Sequence, residues 1–356
     1  ALTNLIERYD INSMIAKSKR DITFPYLLLF LCVCLGISLL VAVSLGAVKI
    51  PILDTYQIIV KHLFHIGNVD HIAKSTIAIV WNMRSPRVIM GLIAGAGLAL
   101  CGSTMQTTVN NPICEPYILG ISAGATFGAT LLIILGLKSL IGFGAFLGAI
   151  IATIIVLVIA SAGKKITTTS LVLAGVVVNA LFSAISNFII SIGANSDNMM
   201  TIKFWTMGSL ASSSWGSILL PFIIVLVACL FFMTQHRIMN AMLMGDEVAI
   251  TLGISLQKYR MIYMLVIAFI TGILVSSCGI IGFVGLITPH IARALVGTSH
   301  QKMIPISVIL GSLFVIWADV LARCLLPNAE LPIGIFTALV GAPFFVYIVI
   351  KNQKGG

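Results

Sequence analysis

Charged residues are scarce in this 356-residue sequence: only 9% are Asp, Glu, Lys or Arg, whereas 59% are hydrophobic. About a quarter of the residues of a soluble domain are charged, so the composition excludes a soluble globular protein and predicts a membrane protein. The net charge of +10 would suggest nucleic acid as the partner of a soluble protein. In a membrane protein, cytoplasmic lysines and arginines and anionic lipid account for it. Membrane lipid is therefore a predicted partner, and nucleic acid is not.

The sequence also lacks the motifs of disulfide, metal and nucleotide sites. Its seven cysteines are odd in number, scattered and without CxxC spacing, so they predict small apolar packing residues rather than a disulfide framework or a metal site. The stretch SAGKKITT (residues 161–168) is faintly similar to a P-loop, but the glycine required five positions before Gly163 is missing. We therefore predict no catalytic residues and no cofactor bound by this chain.

What the sequence has instead is long apolar runs. A helix needs about 20 apolar residues to cross a membrane, and basic stretches near both ends favour cytoplasmic termini, which requires an even number of spans. We predict an all-α, polytopic membrane protein with a single ten-helix transmembrane domain over residues 25–350, between a cytoplasmic segment 1–24 and a cytoplasmic tail 351–356. The predicted spans are 25–46, 88–106, 117–137, 141–161, 171–192, 216–235, 258–278, 280–296, 305–325 and 333–350, of which the eighth is short and broken by glycine and proline.

Ionisable groups are nearly absent from these spans. Asp319 is the only acidic residue within one, and Arg323 follows it by four residues on the same helical face, which predicts a local ion pair. Ion-coupled transporters usually carry acidic groups near the middle of the bilayer. Proton or sodium coupling is therefore disfavoured, and energy is expected from another source.

Neutral polar residues form a stripe on the fifth span. Asn179, Ser183, Ser186 and Asn187 recur every three or four residues, on one side of an otherwise apolar helix. Such a stripe can line a water-filled translocation pathway, or it can hold helices together by packing and hydrogen bonds. The sequence leaves the two interpretations open.

A polar patch interrupts the apolar chain at residues 242–254, MLMGDEVAITLGI. The topology places it in a cytoplasmic connection, residues 237–257. Asp246 and Glu247 suit the first turn of a short helix, because acids interact favourably with the helix dipole there. Ala249 and Leu252 give that helix a small apolar face, and Gly253 can end it. A purely interfacial helix would favour basic residues, so we interpret the segment as a docking element for a partner protein.

The predicted topology places three arginines and three histidines of interest on the extracytoplasmic side of the membrane. Arg84, Arg87 and Arg323 are predicted to lie outside, where the positive-inside rule disfavours arginine, so they either serve a partner or reach toward lipid headgroups. The long extracytoplasmic loop predicted at 47–87 contains the histidines, which are usually solvated in loops, although two of them stand close enough to contact haem or a metal. These histidines are His62, His65 and His71.

The motifs resemble those of the FecCD-type permeases, the type II ABC importer subunits for iron-siderophore, haem and cobalamin uptake. MRSPRVIMGLIAGAGLALCGSTMQTTVNNPICEPYILGISAGATFGA (residues 83–129) carries the RxPR, G-x-x-MQ, NP-x-x-EP and LG-x-S-x-GA elements. WTMGSL (205–210), GDEVAITLGI (245–254), GFVGLITPHIARALVG (282–297) and ADVLARCLLPNAELPIGIFTALVGAPFF (318–345) follow in the family's order. The chain departs from the family at SHQKMIP (299–305), where HRRLLP-like sequences are common, and in the length of the 47–87 segment.

The resemblance implies a permease in the bacterial cytoplasmic membrane, formed by two such subunits (a homodimer or close heterodimer), with two copies of a separate ATPase that binds ATP and Mg²⁺ inside. A binding protein would deliver cargo outside. Iron-siderophore is the expected cargo, and haem and cobalamin are the alternatives. Residues 245–253 match the family's coupling helices, with Gly245, Asp246, Glu247, Ala249, Leu252 and Gly253 as ATPase contacts. Arg84, Arg87 and Arg323 match arginines that meet glutamates of the binding protein in the cobalamin importers. An ion-coupled secondary transporter acting alone is the rival interpretation.

Overall fold

The structure is a computed structural model that describes residues 2–46, 48–163, 166–245, 251, 253, 255–326 and 329–354, without the side chains of 2–22, 349 and 351–354. Its described residues form helices and connecting turns, with no strand among them, which confirms the predicted all-α class. The helices are α1 (Leu2–Ser44), α2 (Ile52–Phe64), α3 (Lys74–Ala78), α4 (Ser85–Thr108), α5 (Ile121–Ile134), α6 (Ile141–Ser161), α7 (Thr168–Gly193), α8 (Ser196–Thr206), α9 (Trp215–Thr234), α10 (His236–Leu243), α11 (Leu256–Cys278), α12 (Val284–Val296), α13 (His300–Cys324) and α14 (Ile333–Lys354).

Seven helical stretches in the described residues are long and apolar enough to cross a membrane. Three shorter apolar helices, Ile121–Ile134, Val284–Val296 and Ile333–Ile348, fall where the remaining predicted spans lie. A multi-pass membrane protein is thus confirmed, while the count of ten spans stays a prediction. Two of the short helices are preceded by irregular segments, residues 109–120 and 279–283, which are buried at Cys114, Leu119 and Ile281, whereas Pro112 and Ile113 are exposed.

The second membrane helix begins well before the predicted residue 88. A continuous helical stretch of 35 residues runs over Lys74–Thr108. Between α3 and α4 it passes through a π-helical turn, Ile79–Arg84. The Ser85 hydroxyl donates to the Val80 carbonyl at 2.7 Å and so supports this wider turn. Hydropathy misses this extension because polar residues interrupt the apolar run there.

The 47–87 segment is largely helical rather than an open loop. One side of α2 is buried through Thr55 and Ile58, while Leu53 and Phe64 are exposed on the other. The His62 ring stacks on Trp81 with their centroids 4.4 Å apart. Apolar burial on one side of α2 therefore folds this segment onto the bundle.

Close helix contacts depend on glycine at two crossings. In the contact between α5 and α6, a Cβ added to Gly124 would overlap the Gly148 carbonyl oxygen. Where α4 crosses α13, a Cβ on Gly95 would overlap the Gly311 carbonyl oxygen. Backbones that approach this closely gain van der Waals contact in lipid, where no hydrophobic force drives helices together. Glycines of the stretches 120–128 and 144–148 thus lie at close contacts between α5 and α6.

Candidate translocation and docking sites

The three arginines predicted for docking are brought together at one end of the bundle, which we call the arginine end. It is formed by the start of α4 and the ends of α1 and α13. Arg84, Arg87 and Arg323 are 7, 8 and 3% exposed, so they are packed into the protein rather than projecting from it. The three arginines have different hydrogen-bond partners within the chain, and they therefore differ in the N–H donors that remain for another protein.

Arg84 caps the end of α1. Its Nη1 donates to the Ser44 carbonyl at 2.7 Å and to the Val43 carbonyl at 3.3 Å, and its Nη2 donates to Val48. The last carbonyls of a helix lack partners within the helix and carry partial negative charge, so a buried arginine satisfies both needs. Gly46 makes room, because a Cβ there would lie 2.5 Å from Arg84 Nη2. Within the described chain Arg84 therefore has a structural function.

Asp319 is the centre of an ion-pair network that joins α4 to α13. Arg87 Nε donates to its two carboxylate oxygens at 2.9 and 3.2 Å. Arg323 Nε lies 3.3 Å from Oδ2, which confirms the predicted pair four residues apart on α13. Arg87 Nη1 also donates to Glu330 at 2.8 Å. The sequence predicted only the local pair, because Arg87 and Asp319 are far apart along the chain.

The arginine end as a whole carries an excess of positive charge and an unused donor. With Arg84 its arginines number three against two carboxylates, whose exposures differ greatly: the side chain of Asp319 is 2% exposed and that of Glu330 is 53% exposed. Arg323 Nη2 donates to the Ala42 carbonyl at 2.7 Å. Its Nη1 is buried without a hydrogen-bond partner among the described residues. A carboxylate from outside the chain would find an available buried donor here.

The stripe on α7 lies at the border between its buried and exposed sides. Ser186 is buried and donates to the Phe182 carbonyl at 2.7 Å, whereas Ser183 and Asn187 are exposed. Asn179 is partly buried, and its Oδ1 has no partner among the described residues. Large apolar side chains, among them Val176 and Phe188, cover other exposed parts of α7. The stripe thus borders a surface that this single chain leaves open.

The predicted ATPase contact falls largely outside the described residues, because Asp246, Glu247, Ala249 and Leu252 are not among them. Gly245 and Gly253 are described and have φ of 98° and 74°, the left-handed region that glycine adopts without strain. The short helix α10 leads into this segment, with Met239 and Met242 fully buried. The segment therefore begins from a helix anchored in the core.

An interior polar contact that the sequence did not predict joins the irregular segments before α5 and α12. The Tyr117 hydroxyl donates to the Ile281 carbonyl at 3.0 Å and lies 3.3 Å from the Ile281 N–H. The Glu115 carboxylate accepts a hydrogen bond from the backbone N–H of Phe283, a non-glycine residue with φ of 68°. Irregular backbone is tolerated at membrane depth only inside protein or along a water-filled cavity. The EP dipeptide was visible in the sequence, but its partner 168 residues later was not.

A cavity lies beside the end of α11 where Cys278 is found. It has a volume of about 590 Å³ and is lined by Lys138, Trp205, Ser209 and Ser276, among others. Arg260 Nε at the start of α11 donates to the Thr108 carbonyl at the end of α4, so the two helices are antiparallel and this cavity lies at the same end of the bundle as the arginine end. Its hydroxyl, ammonium and aromatic groups suit a polar ligand with apolar parts.

Comparison with known proteins gives a consistent picture. The chain matches the FecCD transport family over residues 33–351. It is 34% identical to an uncharacterized ABC transporter permease protein, YvrB, of Bacillus subtilis over 333 residues, which cover 90% of this chain and 92% of that one. It is also 34% identical to the iron(3+)-hydroxamate import system permease protein FhuG of Bacillus subtilis, over 87% of this chain and 92% of that one. Matching permeases are further named for cobalamin, hemin and molybdate.

A solved structure supports the same fold. An inward-facing conformation of a putative metal-chelate type ABC transporter superposes with a TM-score of 0.77 at 30% identity, covering 92% of this chain and 99% of that chain.

Proposed function

This chain belongs to the FecCD transport family and is an ABC importer permease, and we propose that its cargo is an iron chelate, in the first place a ferric siderophore. The proposal is supported by the 34% identity to an iron(3+)-hydroxamate permease over nearly the whole of both chains. Haem and cobalamin remain the alternative cargoes, because relatives named for hemin and cobalamin match as well. The relatives are permease subunits rather than enzymes, so ATP and Mg²⁺ belong to a partner ATPase.

We further propose that two copies of this chain enclose the pathway. The exposed polar groups Ser183 and Asn187 and the unsatisfied Asn179 Oδ1 lie on a side of α7 that this chain leaves open. A second subunit facing it would convert the stripe into the wall of a water-filled conduit, with neutral groups that let cargo pass without tight binding. The competing interpretation, in which the stripe packs against other helices of the same chain, accounts for Ser186 but not for the exposed pair.

The two ends of the bundle would then meet different partners. Residues 245–253 would contact the ATPase on the cytoplasmic side, with Asp246 and Glu247 as the polar contacts. The arginine end would face outward and receive the binding protein, with Arg323 Nη1 as an available donor and Arg87, whose Nη1 is held by the exposed Glu330, as a second contact for its carboxylates. Salt-sensitive attraction between arginines and carboxylates would orient the loaded binding protein.

Uptake into proteoliposomes tests the cargo assignment. The permease is reconstituted with its ATPase and binding protein, and ATP-dependent uptake of a ⁵⁵Fe-labelled ferric hydroxamate, haem and cobalamin is compared. Faster uptake of the hydroxamate supports the proposal. Faster uptake of haem or cobalamin would change the assigned cargo, but the chain would still be assigned as an importer permease. Uptake that persists without ATP and without the ATPase would instead establish an ion-coupled secondary transporter.

A further inference from the structure

Two buried sites lie at opposite ends of one tightly linked pair of helices, α4 and α13. Arg87, near the start of α4, pairs with Asp319, near the end of α13. At the other end of the same helices, Thr107 of α4 meets His300 of α13. Twenty residues separate Arg87 from Thr107, which corresponds to about 30 Å along a helix. The two antiparallel helices therefore extend across the bundle.

Cross-links between these two helices recur along their length. The backbones touch at Gly95 and Gly311, as the overlap of an added Cβ shows. The Ser103 and Ser307 hydroxyls lie 3.0 Å apart, and both side chains are fully buried. The Ser312 hydroxyl donates to the Leu92 carbonyl at 2.9 Å. Close-packed helices joined in this way shift as a unit, because interiors at this density do not deform continuously.

His300 ties this helix pair to α10, the helix that leads to residues 245–253. Its ring is completely buried. Asn240 of α10 presents Oδ1 to both the backbone N–H of His300, at 3.0 Å, and the ring Nδ1, at 2.7 Å. The backbone N–H can only donate, which fixes the Asn240 oxygen as the acceptor and places the ring proton on Nδ1. In a neutral ring Nε2 is then an acceptor.

The second ring nitrogen completes the connection to α4. Nε2 lies 2.6 Å from the Thr107 hydroxyl and carries no proton, so the hydroxyl donates to the ring; the Ser103 carbonyl is a more distant acceptor, 3.1 Å from the same hydroxyl. One side chain thus joins three helices, α10, α4 and α13, and uses every polar atom it has. Asn240 Oδ1 also accepts the hydrogen bond of the first backbone N–H of α13, for which that helix provides no carbonyl partner.

We infer that His300 is a positioning residue that transmits movement of the ATPase-contacting segment to the arginine end, through the linked helices α4 and α13. The inference rests on the proposed function, in which residues 245–253 contact the ATPase and the arginine end contacts the binding protein. A displacement of α10 would act on Asn240, then on the shared hydrogen bonds of His300, and so on both helices at once. The movement would reach Asp319, Arg87 and Arg323 at the far end.

A native reporter sits beside the far end of this path. Cys324 is exposed and follows Arg323 at the end of α13. In a variant where the other six cysteines are alanine, a membrane-impermeant maleimide labels Cys324 in the reconstituted permease–ATPase complex. We expect the labelling rate to differ by about fivefold or more between the nucleotide-free and the MgATP–vanadate-trapped complex, the lower end of typical coupling between sites.

Substitutions of matched size then separate transmission from stability. Thr107→Val and Asn240→Leu remove hydrogen bonds of His300 and should bring the labelling ratio close to one. Thr104→Val is the control, because Thr104 is equally buried on the same helix, but among the described residues its hydroxyl bonds only to the Leu100 carbonyl of α4. Asn240→Asp keeps the acceptor oxygen and should retain the ratio. Co-purification of the ATPase should be unchanged in all four variants.

Several results would overturn the inference. A labelling ratio of one in the parent complex would mean that the arginine end does not respond to nucleotide. If Thr107→Val and Thr104→Val both keep the parent labelling ratio, the hydrogen bond to His300 transmits nothing. If both variants bring the ratio to one, the cause is a general loosening of the core. Failure of the proposed function is seen separately, as an ATPase that does not co-purify with the parent permease.

Discussion

The two carboxylates that share Arg87 differ in burial, and removing them should have very different effects on stability. In Asp319→Asn the buried network keeps its volume but loses its central negative charge, so Arg323 loses its ion-pair partner and Arg87 keeps only the exposed Glu330. Breaking a buried ion pair on one side typically costs about 3–5 kcal/mol. In Glu330→Gln the lost partner is 53% exposed, so water replaces it and the expected cost is about 0–1 kcal/mol. The expected difference between the variants is therefore roughly 2–5 kcal/mol.

The assay is unfolding of the purified permease in detergent, followed by a dye that reports newly exposed thiols. Four of the seven cysteines belong to the hydrophobic core or pack against it, at Cys101, Cys114, Cys229 and Cys278, so their exposure follows loss of the bundle. Asp319→Asn should unfold at clearly lower temperature, while Glu330→Gln should unfold close to the parent.

The double variant Arg87→Leu with Asp319→Leu provides the control. It removes both charges of the principal pair and leaves an apolar contact, which is often neutral in a buried setting. It should recover part of the stability lost in Asp319→Asn, although Arg323 then lacks its ion-pair partner. If Asp319→Asn and Glu330→Gln unfold at the same temperature, the network contributes no more than a surface pair and the reasoning from burial is refuted.

Three further predictions concern the partners and the pathway. Charge reversal at Asp246 and Glu247 should weaken co-purification of the ATPase and transport while membrane insertion stays normal; wild-type ATPase yield and uptake would contradict the docking assignment. Cysteines at Ser183 and Asn187, in a cysteine-free background, should react with water-soluble thiol reagents at rates that change between nucleotide-free and ATP-trapped complexes, whereas protection in both states would favour packing. Arg87→Lys, which keeps the charge but loses the planar fork, should weaken binding of the binding protein, most clearly at low salt where attraction is least screened; unchanged affinity there would assign Arg87 to the fold alone.

The positions of most membrane helices follow from the sequence. Apolar length is a local property, and every span that was predicted from hydropathy coincides with a helix. The same holds for the Asp319–Arg323 pair, since a spacing of four residues fixes two side chains on one helical face. The family was recognisable for a similar reason, because its motifs are short, contiguous and ordered along the chain. Where polar residues interrupt an apolar run, as at 74–87, local hydropathy failed and the helix began earlier than expected.

The partners of the polar side chains were decided by tertiary packing. Arg84 and Arg87 looked free in the sequence and Arg323 had only Asp319 as a predicted partner, yet the ends of α1 and α13 and the following Glu330 supply the carbonyls and carboxylates that surround them. Asn240, His300 and Thr107 are separated by 60 and 193 residues, and Glu115 meets a backbone N–H 168 positions later. A buried polar group must find a hydrogen-bond partner wherever the fold places one, and that place depends on which helices cross. The sequence by itself determined that this protein has helices in a membrane and a family to which it belongs. Only the tertiary structure decided which of its few polar groups find hydrogen-bond partners within the chain and which described atoms, such as Arg323 Nη1, do not.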